Sequence, residues 1–140
     1  MSLAPFSTWL PTADSAAREP VDVFALLAAG APELHDLDTQ LWDRDVDHAT
    51  LELCRARITT MISGTPIEST HVPETDAQRA AVDFAEQFVL DPHGCTDEQM
   101  RGLQTHFTGP QLATLTTAIA VFDALARVRT VLAAPEEGTS

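Results

Sequence analysis

The sequence predicts an all-α fold: one domain, a helical bundle of five or six helices. Three observations carry this expectation. Apolar residues recur at helical intervals through most of the chain, so each segment shows one apolar stripe. Three separate segments open on Thr-x-x-Gln, namely Thr75-Asp76-Ala77-Gln78, Thr96-Asp97-Glu98-Gln99 and Thr108-Gly109-Pro110-Gln111. This is the capping box, in which the Thr oxygen and the Gln side chain satisfy orphan amides reciprocally. No stretch sustains the period-two alternation of a half-buried strand.

The elements follow in order. Residues 1–20 hold Pro5, Pro11 and Pro20 among small polar residues, which reads as an irregular leader draping Phe6, Trp9 and Leu10 over the domain. The domain spans 21–134, and the tail 135–140 is expected to be disordered. Val21 to Gly30 is a short helix pattern stopped by Gly30 and Pro32. Glu33 to Trp42 spaces Leu34, Leu37 and Leu41 at helical intervals, and the acidic hinge 43–47 follows. The helix from about His48 to Ile62 places Leu51, Cys54, Ile58 and Met61 on one stripe, with Asp47 as N-cap. Ser63-Gly64-Thr65-Pro66 ends it, because Gly releases the backbone and Pro cannot continue the ladder.

Asp76 to Leu90 turns Ala77, Ala81, Phe84 and Phe88 inward and Arg79, Asp83 and Glu86 outward, then stops at Asp91-Pro92-His93-Gly94. Met100, Leu103 and Phe107 form the stripe of the next helix. Gln111 to Ala134 is apolar nearly all round, apart from a stripe of Thr116, Asp123, Arg127 and Thr130. Such a helix lies at the centre of a domain or against a second copy of the chain.

Length and composition narrow the function. At 140 residues the chain is long enough to bury a core without metals or disulfides. Its formal charge of −13 comes from 21 acidic against 8 basic residues, all of them Arg. That field disfavours nucleic acid and anionic lipid surfaces. No transmembrane span and no secretory leader are expected, and the setting expected is cytoplasmic. Cys54 falls on an apolar stripe and Cys95 in a polar turn, read as one buried and one exposed free thiol. No His, Cys or carboxylate spacing suggests a metal.

The chemistry-bearing stretch is Asp47 to His71, where a carboxylate, a thiol, two arginines and two histidines lie close in sequence. Glu52 stands three residues before Arg55, so the plain reading is a surface ion pair; the functional one is a carboxylate that holds or deprotonates a bound group. Arg55 and Arg57 can bind a small carboxylate through a forked guanidinium, or simply balance an acidic chain. Arg127 and Asp123 are spaced for an intrahelical ion pair.

The segment DAQRAAVDFAEQFVLDPHGCTDEQMRGLQTHFTGPQLATLTTAIAVFDALARV, together with LELCRARITTMISG before it, resembles the carboxymuconolactone decarboxylase/AhpD-like superfamily. The shared succession is an Ala-rich helix, a D-x-x-G turn, a short helix and a long apolar helix. In AhpD-like peroxidases the earlier helix leads into Glu-x11-Cys-x2-Cys-x3-His. Laid on without gaps, Glu52 and His71 match the Glu and His, while the cysteine positions fall on Gly64 and Ile67. Peroxide reduction at such a site needs a low-pKa thiolate beside a resolving thiol. No register supplies either, so redox cysteines are not expected. The family also has a further helix before the Ala-rich one, where this chain has only Val72 to Thr75.

The resemblance therefore implies a homo-oligomeric protein without thiol-peroxidase chemistry and without a cofactor. It would bind a small molecule in an interhelical or intersubunit pocket, with Arg55, Gly64, Ile67 and Arg127 as binding candidates. Two alternatives stay open. One is a non-redox lyase, isomerase or hydrolase of decarboxylase type that uses His71 and Glu52. The other is a helical interaction module.

Overall fold

The computed structural model describes residues 6–7, 20–21, 29–65 and 72–132. The fold is all-α. Among the described residues five complete helices pack as one domain: α1 (Pro32–Leu41), α2 (His48–Ser63), α3 (Asp76–Leu90), α4 (Asp97–Gln104) and α5 (Gly109–Leu132). A 3-10 turn, Pro92–Gly94, joins α3 to α4. In the leader, Phe6–Ser7 and Pro20–Val21 form a two-residue antiparallel bridge, Phe6 opposite Val21, where the sequence suggested only irregular chain. The remainder of the leader, the tail and most of the expected helix from Val21 to Gly30 lie outside the described residues.

α2 and α5 are the central pair, with α3 packed on α2 and α1 on α5. Their contact explains why both are apolar around much of their circumference. α2 buries Leu51, Leu53, Cys54, Ala56 and Ile58, so it is covered on more than the one stripe its sequence suggested. α5 buries Leu115, Ala118, Ile119, Val121, Phe122, Leu125 and Ala126, and these meet Ala81, Phe84 and Ala85 of α3 in one cluster. Trp42, just past α1, tilts over Phe122 at a centroid distance of 5.6 Å and takes the His48 ring edge-on at 5.8 Å. Among the described residues no helix is long and apolar enough to cross a membrane.

The three threonine caps form where their sequences suggest, two of them as complete boxes. At Thr75 the box is complete: Thr75 Oγ1 accepts from the Gln78 N–H at 3.1 Å, and Gln78 Oε1 accepts from the Thr75 N–H at 3.3 Å. At Thr108 the same two bonds measure 3.2 and 2.9 Å. Thr96 supplies the threonine half, accepting from the Gln99 N–H at 3.1 Å. Asp47 differs. It stands at the N-cap of α2 in extended conformation, but its side chain makes no cap hydrogen bond. Replacing Thr75 with Ala should cost about 1 kcal/mol, read as a lower urea midpoint with an unchanged slope.

The inward face of α1 also departs from expectation. Leu37 is 36% exposed, whereas Asp38 and Leu41 are buried. At about 100° per residue, Leu34, Leu41 and Trp42 define a face whose middle falls nearer Asp38 than Leu37. A carboxyl group therefore occupies a position that the apolar pattern assigned to leucine.

Candidate functional site

Glu52 and Arg55 do come together. They lie one turn apart on α2, and Arg55 Nε donates to Glu52 Oε2 at 2.8 Å while Nη2 donates to Oε1, a two-pronged pair. The side chains are 23% and 19% exposed respectively, so the pair is largely withdrawn from water. Such forked geometry is stronger than a single contact and fixes both partners. Arg57, two residues on, reaches across to α3 and donates from Nε to Glu86 Oε1 at 2.8 Å. It ties α2 to α3 and makes Glu86 a helix-bridging partner, where the sequence had it simply facing outward.

Gly64 is the left-handed residue that stops α2, with φ of 73° and its N–H bonded to the Thr60 carbonyl at 3.0 Å. α2 runs without a break from His48 to Ser63. Glu52 and Gly64 are thus separated by about 18 Å along the axis, at 1.5 Å per residue. The carboxylate is therefore not beneath the Gly64 turn. A site that joins Glu52 to His71 needs the chain after Gly64 to return along α2. His71 and Ile67 lie outside the described residues.

Arg127 makes its ion pair within α5, Nε to Asp123 Oδ1 at 3.0 Å, as the i, i+4 spacing implied. His93 lies in the exposed 3-10 turn, and His48 donates from Nε2 to the Trp42 carbonyl, which closes the hinge between α1 and α2. Asp45 in that hinge is held by α5: its carbonyl accepts from Gln111 Nε2 at 3.2 Å and its carboxylate from Thr114 Oγ1 at 3.0 Å. Among the described residues no group of three or more His, Cys, Asp or Glu side chains could hold a metal ion.

The cysteines are both free. Cys54 is fully buried beside Leu51 and Ile58, and burial, with Asp47 adding to it, pushes its thiol up to about 12. A thiol so placed is not a nucleophile at neutral pH. Cys95 is half-buried against the core rather than exposed in its turn. A thiol-labelling reagent should therefore modify Cys54 only as fast as the protein unfolds. Mass spectrometry of the native protein after short exposure checks this; rapid native labelling of Cys54 would contradict its burial.

One residue escaped sequence reasoning. Asp38 is completely buried, and neither carboxylate oxygen has a hydrogen-bond partner among the described residues. Burial raises its pKa to about 6, against the opposing fields of His35 and Arg55. Trp42, one turn along, likewise has a buried indole N–H with no partner among the described residues. The available signal was the position of Asp38 near the middle of the Leu34–Leu41–Trp42 face. No protein-family model, curated protein or solved structure matches the chain.

Proposed function

We propose that this chain is a divergent carboxymuconolactone decarboxylase/AhpD-like protein that has no thiol-peroxidase chemistry and binds a small, carboxylate-bearing or largely apolar molecule. The observation that carries the reading is the withdrawn, two-pronged Glu52–Arg55 pair on central α2, with the neighbouring Cys54 buried beyond use as a thiolate. Arg55 commits Nε and Nη2 to Glu52. A guanidinium has five N–H donors, so donors remain for a ligand carboxylate.

The turn between α3 and α4 supports the family part of the reading. Asp91 Oδ1 accepts from the His93 N–H at 3.1 Å, and a Cβ at Gly94 would collide with the Gln87 amide. The aspartate of a D-x-x-G turn thus has a physical reason here, whereas a side chain at Gly94 would require only the end of the flexible Gln87 side chain to shift. A cytoplasmic homo-oligomer, whose pocket would lie between helices or subunits, belongs to the same proposal.

Binding fits this geometry better than general-base catalysis by Glu52. Both Glu52 oxygens are occupied by Arg55, so proton abstraction would first require Arg55 to let go.

The test uses benzoate and succinate as probes, in thermal-shift and calorimetric titrations of the full chain. Saturable binding that Arg55→Met weakens at least tenfold supports the reading. No binding by either probe, or equal binding by the variant, overturns it. In parallel, turnover of cumene hydroperoxide with a dithiol reductant should stay at background, and turnover lost in Cys54→Ser would overturn the non-redox assignment.

A further inference from the structure

Asp38 is buried on the face that α1 shares with Leu41 and Trp42, and Trp42 packs on Phe122 of α5. Both carboxyl oxygens and the Trp42 indole nitrogen lack a hydrogen-bond partner among the described residues. A neutral carboxyl is tolerated in such a place, whereas an ionised one must find a donor or reach water. Burial accordingly pushes its pKa up to about 6, opposed among the described residues by the fields of His35 and then Arg55. His35, on α1 itself, has Asp36 at 3.6 Å and a further interaction of its own. On α5, which packs on α1, the charged residues are Asp123 and Arg127, which engage each other, and Arg129, which is likewise engaged. None of them hydrogen-bonds the Asp38 carboxyl.

The helix that carries Asp38 is lightly held. Its N-cap residue, Ala31, makes no side-chain cap bond, and Asp38 and Leu41 are the residues it buries. Asp43 and Arg44 follow as exposed turn residues. Beyond them the chain is anchored, with Asp45 bonded to Gln111 and Thr114 of α5 and Val46 buried in the core. Residues 43–44 therefore form a pivot between a light element and a fixed point. Across it His48 Nε2 donates to the Trp42 carbonyl, a bond open to both the neutral and the protonated ring. We propose that α1 is a pH-operated flap, released from α5 when the buried Asp38 carboxyl ionises and swinging about residues 43–44 to bare the α5 face around Phe122. The step passes one proton from Asp38 to solvent and breaks no other covalent bond. The docked carboxyl keeps its proton up to about pH 6, while an exposed one releases it near 3.8. Docking is thus firmest below about pH 4 and weakens as pH rises through 6.

The flap goes beyond the binding reading above and requires no ligand for its test. Amide hydrogen exchange of the full chain is measured by mass spectrometry at pH 5 and 7.5, with each rate corrected for the intrinsic exchange of an unprotected amide. Protection of α1 relative to the central part of α5 should be about tenfold lower at pH 7.5 than at pH 5, the ratio that linkage gives for a carboxyl titrating near 6 when docked and near 3.8 when free. In Asp38→Asn, which keeps the shape and removes the proton, that relative protection should be the same at both pH values.

Circular dichroism confirms that the variant is folded; should Asp38→Asn not fold, Asp38→Leu takes its place. Equal loss of protection in α1 and α5 of the wild type would mean that Asp38 acts on the whole domain, and overturns the flap. So does an α1 protection that does not change with pH. A selective loss in α1 that persists without the Asp38 carboxyl belongs to another titrating group, such as His35, and overturns it as well. Failure of benzoate and succinate to bind would overturn the proposed function and leave these exchange rates untouched.

Discussion

Leu115→Ala should destabilise the protein by about 3 kcal/mol, within the range for leucine truncation in a rigid core. Leu115 is fully buried near the N-terminal end of α5, on the helix that packs most heavily against α2. The loss has two parts, the transfer free energy of the removed carbons and the cavity that neighbouring side chains cannot fill. For a domain with typical total stability of about 5–15 kcal/mol, this is a large fraction, equivalent to a melting temperature lower by about 10 °C. Val131→Ala is the control. That residue is on the same helix but 73% exposed, and its truncation should cost less than about 0.5 kcal/mol. Denaturant melts followed at 222 nm separate the two. Similar losses in both variants would mean that the C-terminal end of α5 is buried in solution, as a homo-oligomer would make it.

What the sequence made legible divides along a physical line. Most local signals are legible, although Asp47 makes no capping bond and Thr96 forms only half of its box. The helix Asp76–Leu90 was expected and found with the same bounds, because the Thr75 box fixes its start within four residues. The stop at Gly64 needed only the conformational freedom of glycine two residues before a proline. The Glu52–Arg55 and Asp123–Arg127 pairs follow from helical spacing alone.

Features that depend on tertiary contacts were not legible in this way. Arg57 and Glu86 are 29 residues apart, and nothing in either helix announces the partner. The face of α1 was read from its leucines, which placed Leu37 inward, but packing on α5 turned the helix so that Asp38 took that place. Residue type misled there because a carboxyl group is normally assigned to solvent. The alignment by pattern also gave a distance in residues and not in space. An unbroken α2 places Glu52 and Gly64 about three turns apart, so proximity between Glu52 and His71 was never contained in the spacing.

Asp38 supplies the other large effect, and its sign depends on pH. Its folded-state pKa, about 6, lies above the unfolded reference of 3.8. Between those values the native protein binds more protons at this position than the unfolded chain does. Stability therefore falls as pH rises through that window. The contribution of Asp38 is fully present below about pH 4 and lost above pH 6. At 1.36 kcal/mol per pH unit of displacement, the full span is about 3 kcal/mol.

Asp38→Asn removes the titration while keeping the shape, and Asp38→Leu removes the unpartnered polar atoms as well. Both variants should be more stable than the wild type at pH 7.5, the leucine variant by about 2 kcal/mol or more. Most of this advantage should disappear at pH 4.5, where wild-type Asp38 is largely neutral. Urea melts of all three proteins at the two pH values provide the check, because the difference between variant and wild type cancels the titrations they share. If instead both variants are less stable at pH 7.5, the ionised carboxylate must be stabilised by a donor in solution.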